Sequence, residues 1–238
     1  MDPLKIKLHD LSGGKILDVA TGHGQFLRLL VEAFADFTEA IGIDTSENNI
    51  EIARRECRDG LLMEIMDARD LDYPDGYFDT VAIRHSLHHL ADVDAVTSEM
   101  KRVLKPGGLF IVCEVFQSLD NERENSQRHL HHWWAAVDRS QGITHYVTFT
   151  KSEILQITDR LDLTDTDIFE YIEEYGDDKH QEILGQMIGR CKDIIKMLRA
   201  GNGSEELIRQ GEDLVTTFSR LGFINESALY VLGRKALF

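Results

Sequence analysis

The chain has 238 residues, 42 acidic against 26 basic, with a formal net charge of -16 and three cysteines. Polyanionic partners such as DNA, RNA or an anionic membrane surface are disfavoured by that balance, since the sequence shows no local basic patch to offset it. No apolar run approaches the roughly 20 residues of a membrane-spanning helix, no secretory pattern opens the chain, and Cys57, Cys113 and Cys191 lack metal-ligand spacing; a cytoplasmic protein with reduced thiols and no metal is expected.

The first predicted element is an apolar strand, Ile16-Leu17-Asp18-Val19-Ala20, which runs through Thr21-Gly22-His23-Gly24 into a helical pattern with Phe26, Leu27, Leu29, Leu30 and Val31. A buried parallel strand that turns into a helix over two glycines lets a ligand lie against bare backbone, beside helix amides that no side chain satisfies. The dinucleotide fingerprint would require a third glycine at position 27, which is Leu, and Ala20 replaces its first. Asp18, four residues before Gly22, is unwelcome beside a pyrophosphate but suits a cofactor carrying an ammonium and a sulfonium.

A second buried strand over residues 40–44 ends in Asp44, and a helix follows to about residue 57. An acidic residue at the carboxyl end of a second strand is placed to accept both ribose hydroxyls, while Thr45 and Ser46 are available to cap the helix. A third apolar run over residues 62–68 carries Asp67 and Ala68, and residues 77–83 form a fourth strand that Asp79 caps or positions. After Arg84-His85-Ser86-Leu87-His88-His89 come a helix over residues 93–104, a Lys105-Pro106-Gly107-Gly108 turn and a strand over residues 109–115. A polar helix with Leu130, Trp133, Trp134 and Val137 lies within residues 118–148, and Thr150-x-x-Glu153 opens another helix. Residues 167–172 form a sixth strand, residues 178–222 a helical hairpin broken at Gly201-Asn202-Gly203, and residues 228–234 a seventh strand.

Asp18-x-x-x-Gly22-x-Gly24 resembles motif I of the class I S-adenosylmethionine-dependent methyltransferases. Phe78-Asp79-x-Val81, the helix after it and Leu104-Lys105-Pro106-Gly107-Gly108 leading into a strand are similar to the later part of the same fold, in its small-molecule, type 11-like group. The likeness spans roughly residues 14–116. It implies an α/β, Rossmann-like, doubly wound sheet of seven strands, the last antiparallel, in one methyltransferase domain over residues 1–238. It also implies that Asp18, Ala20, Gly22, Gly24, Asp44, Thr45, Asp67, Ala68 and the backbone near Arg84 and His85 hold S-adenosylmethionine, with Asp67 accepting from the adenine amine.

About 13 residues precede the first strand, so the cover of the active site is expected from residues 118–148 and 178–222, as helical lid insertions at the carboxyl edge of the sheet. The apolar face of the hairpin also allows a homodimer. His129, His131, His132, Trp133, Trp134, Asp138, His145 and Tyr146 suggest an acceptor pocket with a group that titrates near neutral pH and aromatic faces for a flat or cationic substrate. A metal on His131, Asp138 and His145 is the weaker reading, because that stretch lacks the i, i+4 histidine spacing of helical zinc sites.

Methyl transfer from a sulfonium is an in-line displacement, in which the protein positions the acceptor and excludes water. A base is needed only when the acceptor is a poor nucleophile in its protonated form; His85, His88, His89, His131, His132, His145 and Tyr146 are the candidates. A small-molecule acceptor is expected. The alternatives are a protein methyltransferase, a cofactor-binding regulatory protein without turnover, and a nicotinamide-dependent oxidoreductase, which Leu27 weakens.

Overall fold

A computed structural model describes residues 2–57, 60–116, 122–172, 177–201, 203–222 and 227–237, with the backbone alone at 122–125. In chain order the elements are α1 (Pro3–Leu8), β1 (Lys15–Val19), α2 (Gln25–Ala33), β2 (Glu39–Asp44), α3 (Glu47–Glu56), β3 (Leu62–Ile65), β4 (Phe78–Arg84), a 3-10 turn (Leu87–His89), α4 (Val93–Val103), β5 (Leu104–Val115), α5 (Glu122–Ser140), α6 (Lys151–Asp159), β6 (Leu163–Ile172), α7 (Asp177–Ala200), α8 (Glu205–Leu221) and β7 (Ser227–Lys235). They form two compact units, one of residues 1–114, 152–171 and 228–238, the other of residues 115–151 and 172–227.

The first unit is built on a seven-stranded sheet in the order β3-β2-β1-β4-β5-β7-β6. The pairs β1/β2, β1/β4, β2/β3 and β4/β5 are parallel, and β7 is antiparallel, as the sequence implies. Ile16, Leu17 and Val19 of β1, Val81, Ala82 and Ile83 of β4 and Phe110, Ile111 and Val112 of β5 are all buried. Such continuous apolar runs belong to a parallel sheet covered on both faces. On one face, Phe26, Leu27 and Leu30 of α2 pack with Leu4 and Leu8 of α1 against Ile16, Ala82, Ile111 and Cys113. The helix starts are fixed locally: Ser46 Oγ accepts from Asn49 N at 3.2 Å and Asp92 Oδ1 from Ala95 N at 2.9 Å. Asp79 positions β4, as expected, by accepting from Lys15 N at 2.9 Å and Lys105 Nζ at 2.6 Å at the amino edge of the sheet.

Three boundaries differ from the sequence reading. The stretch before β1 contains α1, a helix started by Pro3 and capped by Asp2, whose carboxylate accepts from Leu4 N at 2.8 Å. β5 begins at Leu104, because its ladder with β4 continues through the Lys-Pro-Gly-Gly stretch by a register shift between the Phe78/Leu104 and Thr80/Leu109 pairs. β6 starts at Leu163, four residues early; it is the edge strand, and its polar Thr164, Asp165, Thr166 and Asp167 are exposed and carry no apolar signal.

The second unit contains the expected helical hairpin, α7 and α8, with Gly203 N closing the end of α7 on Leu198 O at 2.7 Å and Asn202 outside the described residues. Its apolar positions pack on α5: Leu130, Trp133 and Val137 meet Cys191, Ile195, Leu198, Leu214 and Phe218. The indole N–H of Trp133 donates to Leu207 O at 2.7 Å, and a Cβ at Gly211 would stand 2.5 Å from Trp133 Cζ2. Among the described residues, no helix is long and apolar enough to cross a membrane.

Candidate functional site

Strand order reverses between β1 and β4, and open α/β sheets bind ligands at the carboxyl ends of the strands beside that point. Ala20, directly after β1, has φ 53°, and His85, directly after β4, has φ 49°. For residues with a Cβ the left-handed region costs roughly 1–2 kcal/mol, and such strain concentrates at functional sites.

The turn after β1 is pinned from several sides. Thr21 N donates to Ile43 O at 2.8 Å, Gly24 N to Thr21 O at 2.9 Å, and Gly22 N to Asp44 Oδ2 at 3.0 Å. Gly24, at φ 77°, is the N-cap of α2, and a Cβ there would stand 2.5 Å from Cys57 Sγ. Gly22, at φ 55°, is the opposite case: a Cβ would meet nothing within 4 Å, so the turn opens onto free space. The N-cap Gly24 brings no side-chain hydrogen bond to α2 and no acidic residue lies in its first turn; of the first amides, that of Leu27 is taken by Asp18.

Asp18 lies beneath this turn at 1% exposure. Burial pushes its carboxyl up to about 7, against the opposing pull of the Thr21 hydroxyl and the Leu27 amide; Thr21 Oγ1 donates to Asp18 Oδ2 at 2.6 Å. The group ties the turn to the start of α2. Asp44, half-buried at the end of β2, accepts from Gly22 N, from Ser46 N at 2.9 Å and, at the longest distance, from Asn49 Nδ2 at 3.3 Å. A carboxylate has about four acceptor positions, and the Asn49 contact is the easiest to exchange for a ligand hydroxyl. Thr45 is exposed beside it. Asp67, exposed after β3, is gripped by Arg69 through Nη2 at 2.6 Å and its amide at 2.9 Å; those hydrogen bonds hold its carboxyl below the ordinary range. Ala68 next to it is buried.

The segment after β4 is bound to the turn after β1 and to β5. Ser86 Oγ donates toward Ala20 O at 3.4 Å and to Arg84 O at 2.8 Å. His85 N donates to Cys113 O at 2.8 Å, and its Nε2 lies 3.5 Å from Cys113 Sγ. Glu114 at the end of β5 is fully buried; it accepts from Leu87 N at 2.7 Å and faces His88 Nδ1 at 3.0 Å. Sequence reasoning missed Glu114, although a lone acid ending an apolar strand is the signal that marks it. Asp18, Ala20, Gly22, Gly24, Asp44, Thr45, Arg84 and His85 thus share the carboxyl edge of β1, β2 and β4, with Asp67 and Ala68 beyond β3.

The remaining candidates belong to the second unit. His145 is buried, its Nδ1 2.7 Å from Asp138 Oδ2, and its carbonyl accepts from Arg139 Nη1 at 2.6 Å. His131 meets the edge of Trp134, whose face carries Arg190 at 4.5 Å. Burial, with nearby Arg128, lowers the pKa of His132. A cavity of about 470 Å³ between α5 and α8 is lined by Ser126, His129, His132, Trp133, Gln210 and Asp213 among others. Tyr146 is exposed.

Residues 17–112 match the family described as a methyltransferase domain. The demethylmenaquinone methyltransferase of Staphylococcus saprophyticus is 37% identical over 108 residues, 44% of this chain and 46% of that protein, so the chain spans just under half the length of that relative. The YcgJ protein of Bacillus subtilis shares the fold at 22% identity and a TM-score of 0.60, over 93% of this chain and 92% of that one. Phosphoethanolamine N-methyltransferase 2 of Haemonchus contortus, solved with S-adenosylmethionine, does so at 19% identity and a TM-score of 0.58, over 98% of this chain and 51% of that one.

Proposed function

We propose that this protein, whose residues 17–112 match a methyltransferase domain, transfers the methyl group of S-adenosylmethionine to a small-molecule acceptor. The Asp44 carboxylate carries the reading. It ends β2 and is hydrogen-bonded to Gly22 N, so an acceptor for ribose hydroxyls stands next to a glycine turn with open space before it. Leu27 stands where the dinucleotide fingerprint requires its third glycine, which supports this cofactor over a dinucleotide.

Bound there, S-adenosylmethionine supplies a methyl group on a positively charged sulfur. The chain's own residues position and shield. Asp44 and Thr45 take the ribose, and the Asp67-Ala68 loop takes the adenine. Asp18 acts through Thr21 and Leu27, holding the glycine turn against α2. His88, oriented at Nδ1 by Glu114, accepts a proton at Nε2 when the acceptor is a phenol, an alcohol or a carbon acid. His85 is the other candidate base of that unit, and His131, His132, His145 and Tyr146 are those of the helical unit.

Relatives named for demethylmenaquinone and a net charge of -16 support a small-molecule acceptor over a nucleic acid.

Isothermal titration with S-adenosylmethionine and S-adenosylhomocysteine tests the reading, with NADH as control and Asp44→Ala as comparison. Micromolar binding by the wild type, weakened in the variant, with no uptake of NADH, is the expected result, and acceptors are then screened by methyl mass gain. No binding of either adenosyl ligand by folded wild type overturns it.

A further inference from the structure

We propose that a cavity at the amino edge of the sheet, at the far end of the strands from the glycine turn, binds a small oxyanion, a carboxylate or a phosphate. The cavity has a volume of about 540 Å³, and its lining residues all belong to the sheet unit. Small-molecule sites occupy roughly 300–1,000 Å³. Lys15, Asp79, Lys105 and Arg234 bring charge to its wall, and Ser12, Thr38 and Thr80 bring hydroxyls.

The topology gathers these cations from three distant segments. Lys15 opens β1, Lys105 lies at the start of β5, and Arg234 lies next to the end of β7. β1 and β5 run parallel to β4, so their starts share one edge. β7 is antiparallel, which brings its end to the same edge, where Arg234 Nη1 donates to Gly107 O at 3.1 Å. The chain as a whole carries a net charge of -16, yet this wall sets three cations against one acid. Such a local reversal of sign in a cleft concentrates anions.

The acid on the wall is already engaged. Asp79 accepts from Lys15 N at 2.9 Å and from Lys105 Nζ at 2.6 Å. Lys15 Nζ lies 3.3 Å from Glu39 Oε2 and 3.7 Å from the centroid of the Tyr77 ring. Those contacts give each lysine a counter-ion. Arg234 differs, because its hydrogen bond goes to a neutral carbonyl and, among the described residues, no carboxylate pairs with it. A guanidinium presents its donors as a rigid fork that matches a carboxylate or a phosphate, and a lysine ammonium holds more donors than one carboxylate oxygen takes up. Ser12 donates to Asp36 and Thr80 to Gly13 O, which leaves recognition to the guanidinium, the two ammonium groups and Thr38. A cationic ligand would meet the surplus positive charge, and a neutral one would leave it unanswered.

The test is titration of the full chain with inorganic phosphate and with succinate, followed by amide chemical shifts and calorimetry, with S-adenosylhomocysteine titrated in parallel. One of the two anions should bind with a Kd of about 1 mM or tighter and shift the amides of Gly14, Gly107 and Gly108; the tighter of the two tells a phosphate from a carboxylate head group. Arg234→Gln, which keeps a donor for Gly107 O and removes the charge, should weaken that anion about tenfold or more, with Arg234→Lys in between. S-adenosylhomocysteine affinity should stay within about twofold in both variants. Shifts confined to the Gly22 and Gly24 amides, an anion affinity unchanged in Arg234→Gln, or no binding of either anion by the folded chain at about 10 mM overturns the assignment. Failure of S-adenosylhomocysteine to bind overturns the cofactor reading alone.

Discussion

In the sheet unit the candidate edge is made largely of backbone, with left-handed Ala20, Gly22 and Gly24 and the Gly24-capped start of α2, next to carboxylates at strand ends. In the helical unit, the candidate chemistry is made of side chains, with histidines and tryptophans spread along α5 and held by packing against α7 and α8. A backbone site has few solutions, because φ > 0 and close approach restrict which residues fit. A side-chain site on helices changes its chemistry with each substitution while the helices keep their packing. The methyltransferase-domain match covers residues 17–112 and does not reach α5.

That contrast can be broken by substitution, and the largest effect should come from Gly24→Val. The position combines φ 77° with a Cβ site 2.5 Å from Cys57 Sγ; S-adenosylhomocysteine affinity should fall by about a hundredfold or more, since strain and displacement of the α2 start act together. Titration calorimetry reads it, and near-normal affinity would mean the glycine turn does not bind the cofactor.

Trp133→Ala should destabilise the helical unit by about 3–5 kcal/mol, the usual loss for a buried Trp, as it removes both packing and the bond to Leu207 O. Urea unfolding followed by far-UV circular dichroism measures the loss. If the contrast holds, S-adenosylhomocysteine affinity at low urea stays within about twofold, a difference of less than 0.5 kcal/mol.

Asp44→Ala removes the ribose acceptor and the tie to Gly22 N. Cofactor affinity should drop about ten- to hundredfold, the range of one or two charge-assisted hydrogen bonds. An unaltered Kd would move the ribose elsewhere.

Asp18 offers a pH test. Its folded pKa is raised to about 7 by burial, so the folded chain binds a proton that the unfolded chain releases above its ordinary carboxylate pKa. The stability from this site is fully present below about pH 4 and is lost as pH rises to about 7. Relative to Asp18→Asn, the wild type should lose roughly 1–3 kcal/mol across that window. Urea unfolding at a series of pH values measures it, and parallel profiles would show that the carboxyl ionises as an exposed one does.

The smallest effect belongs to Tyr146→Phe. The side chain is exposed, so stability should change by less than about 0.5 kcal/mol. Once an acceptor is in hand, a kcat that falls more than about tenfold would identify its hydroxyl as the base.

The strands and the glycine turn are legible in the sequence because their signals are local. Continuous apolar runs mark the buried strands, glycines mark the left-handed turn, and carboxylates at strand ends mark the edge. The start of β6 reads as polar loop because it is an exposed edge strand. Asp18 could be placed on β1 from its spacing, but not beneath the turn, since that depends on which face of β1 meets α2. His88 was visible as one of several histidines; its distinction comes from Glu114, 26 residues later.

What the sequence by itself determined is thus the order of the elements, the glycine turn and the carboxylates that flank it, because each follows from neighbours within a few positions along the chain. Only the tertiary structure decided that Asp18 lies beneath the turn on Thr21, that Asp44 accepts from Gly22 N, that Glu114 meets His88, that Arg84 stands at the start of α2 beside Phe26, and that Trp133 closes on Leu207. Those pairings depend on strand register, on the alternation of side chains between sheet faces and on helix packing, all of which are set by burying apolar surface from distant parts of the chain at once.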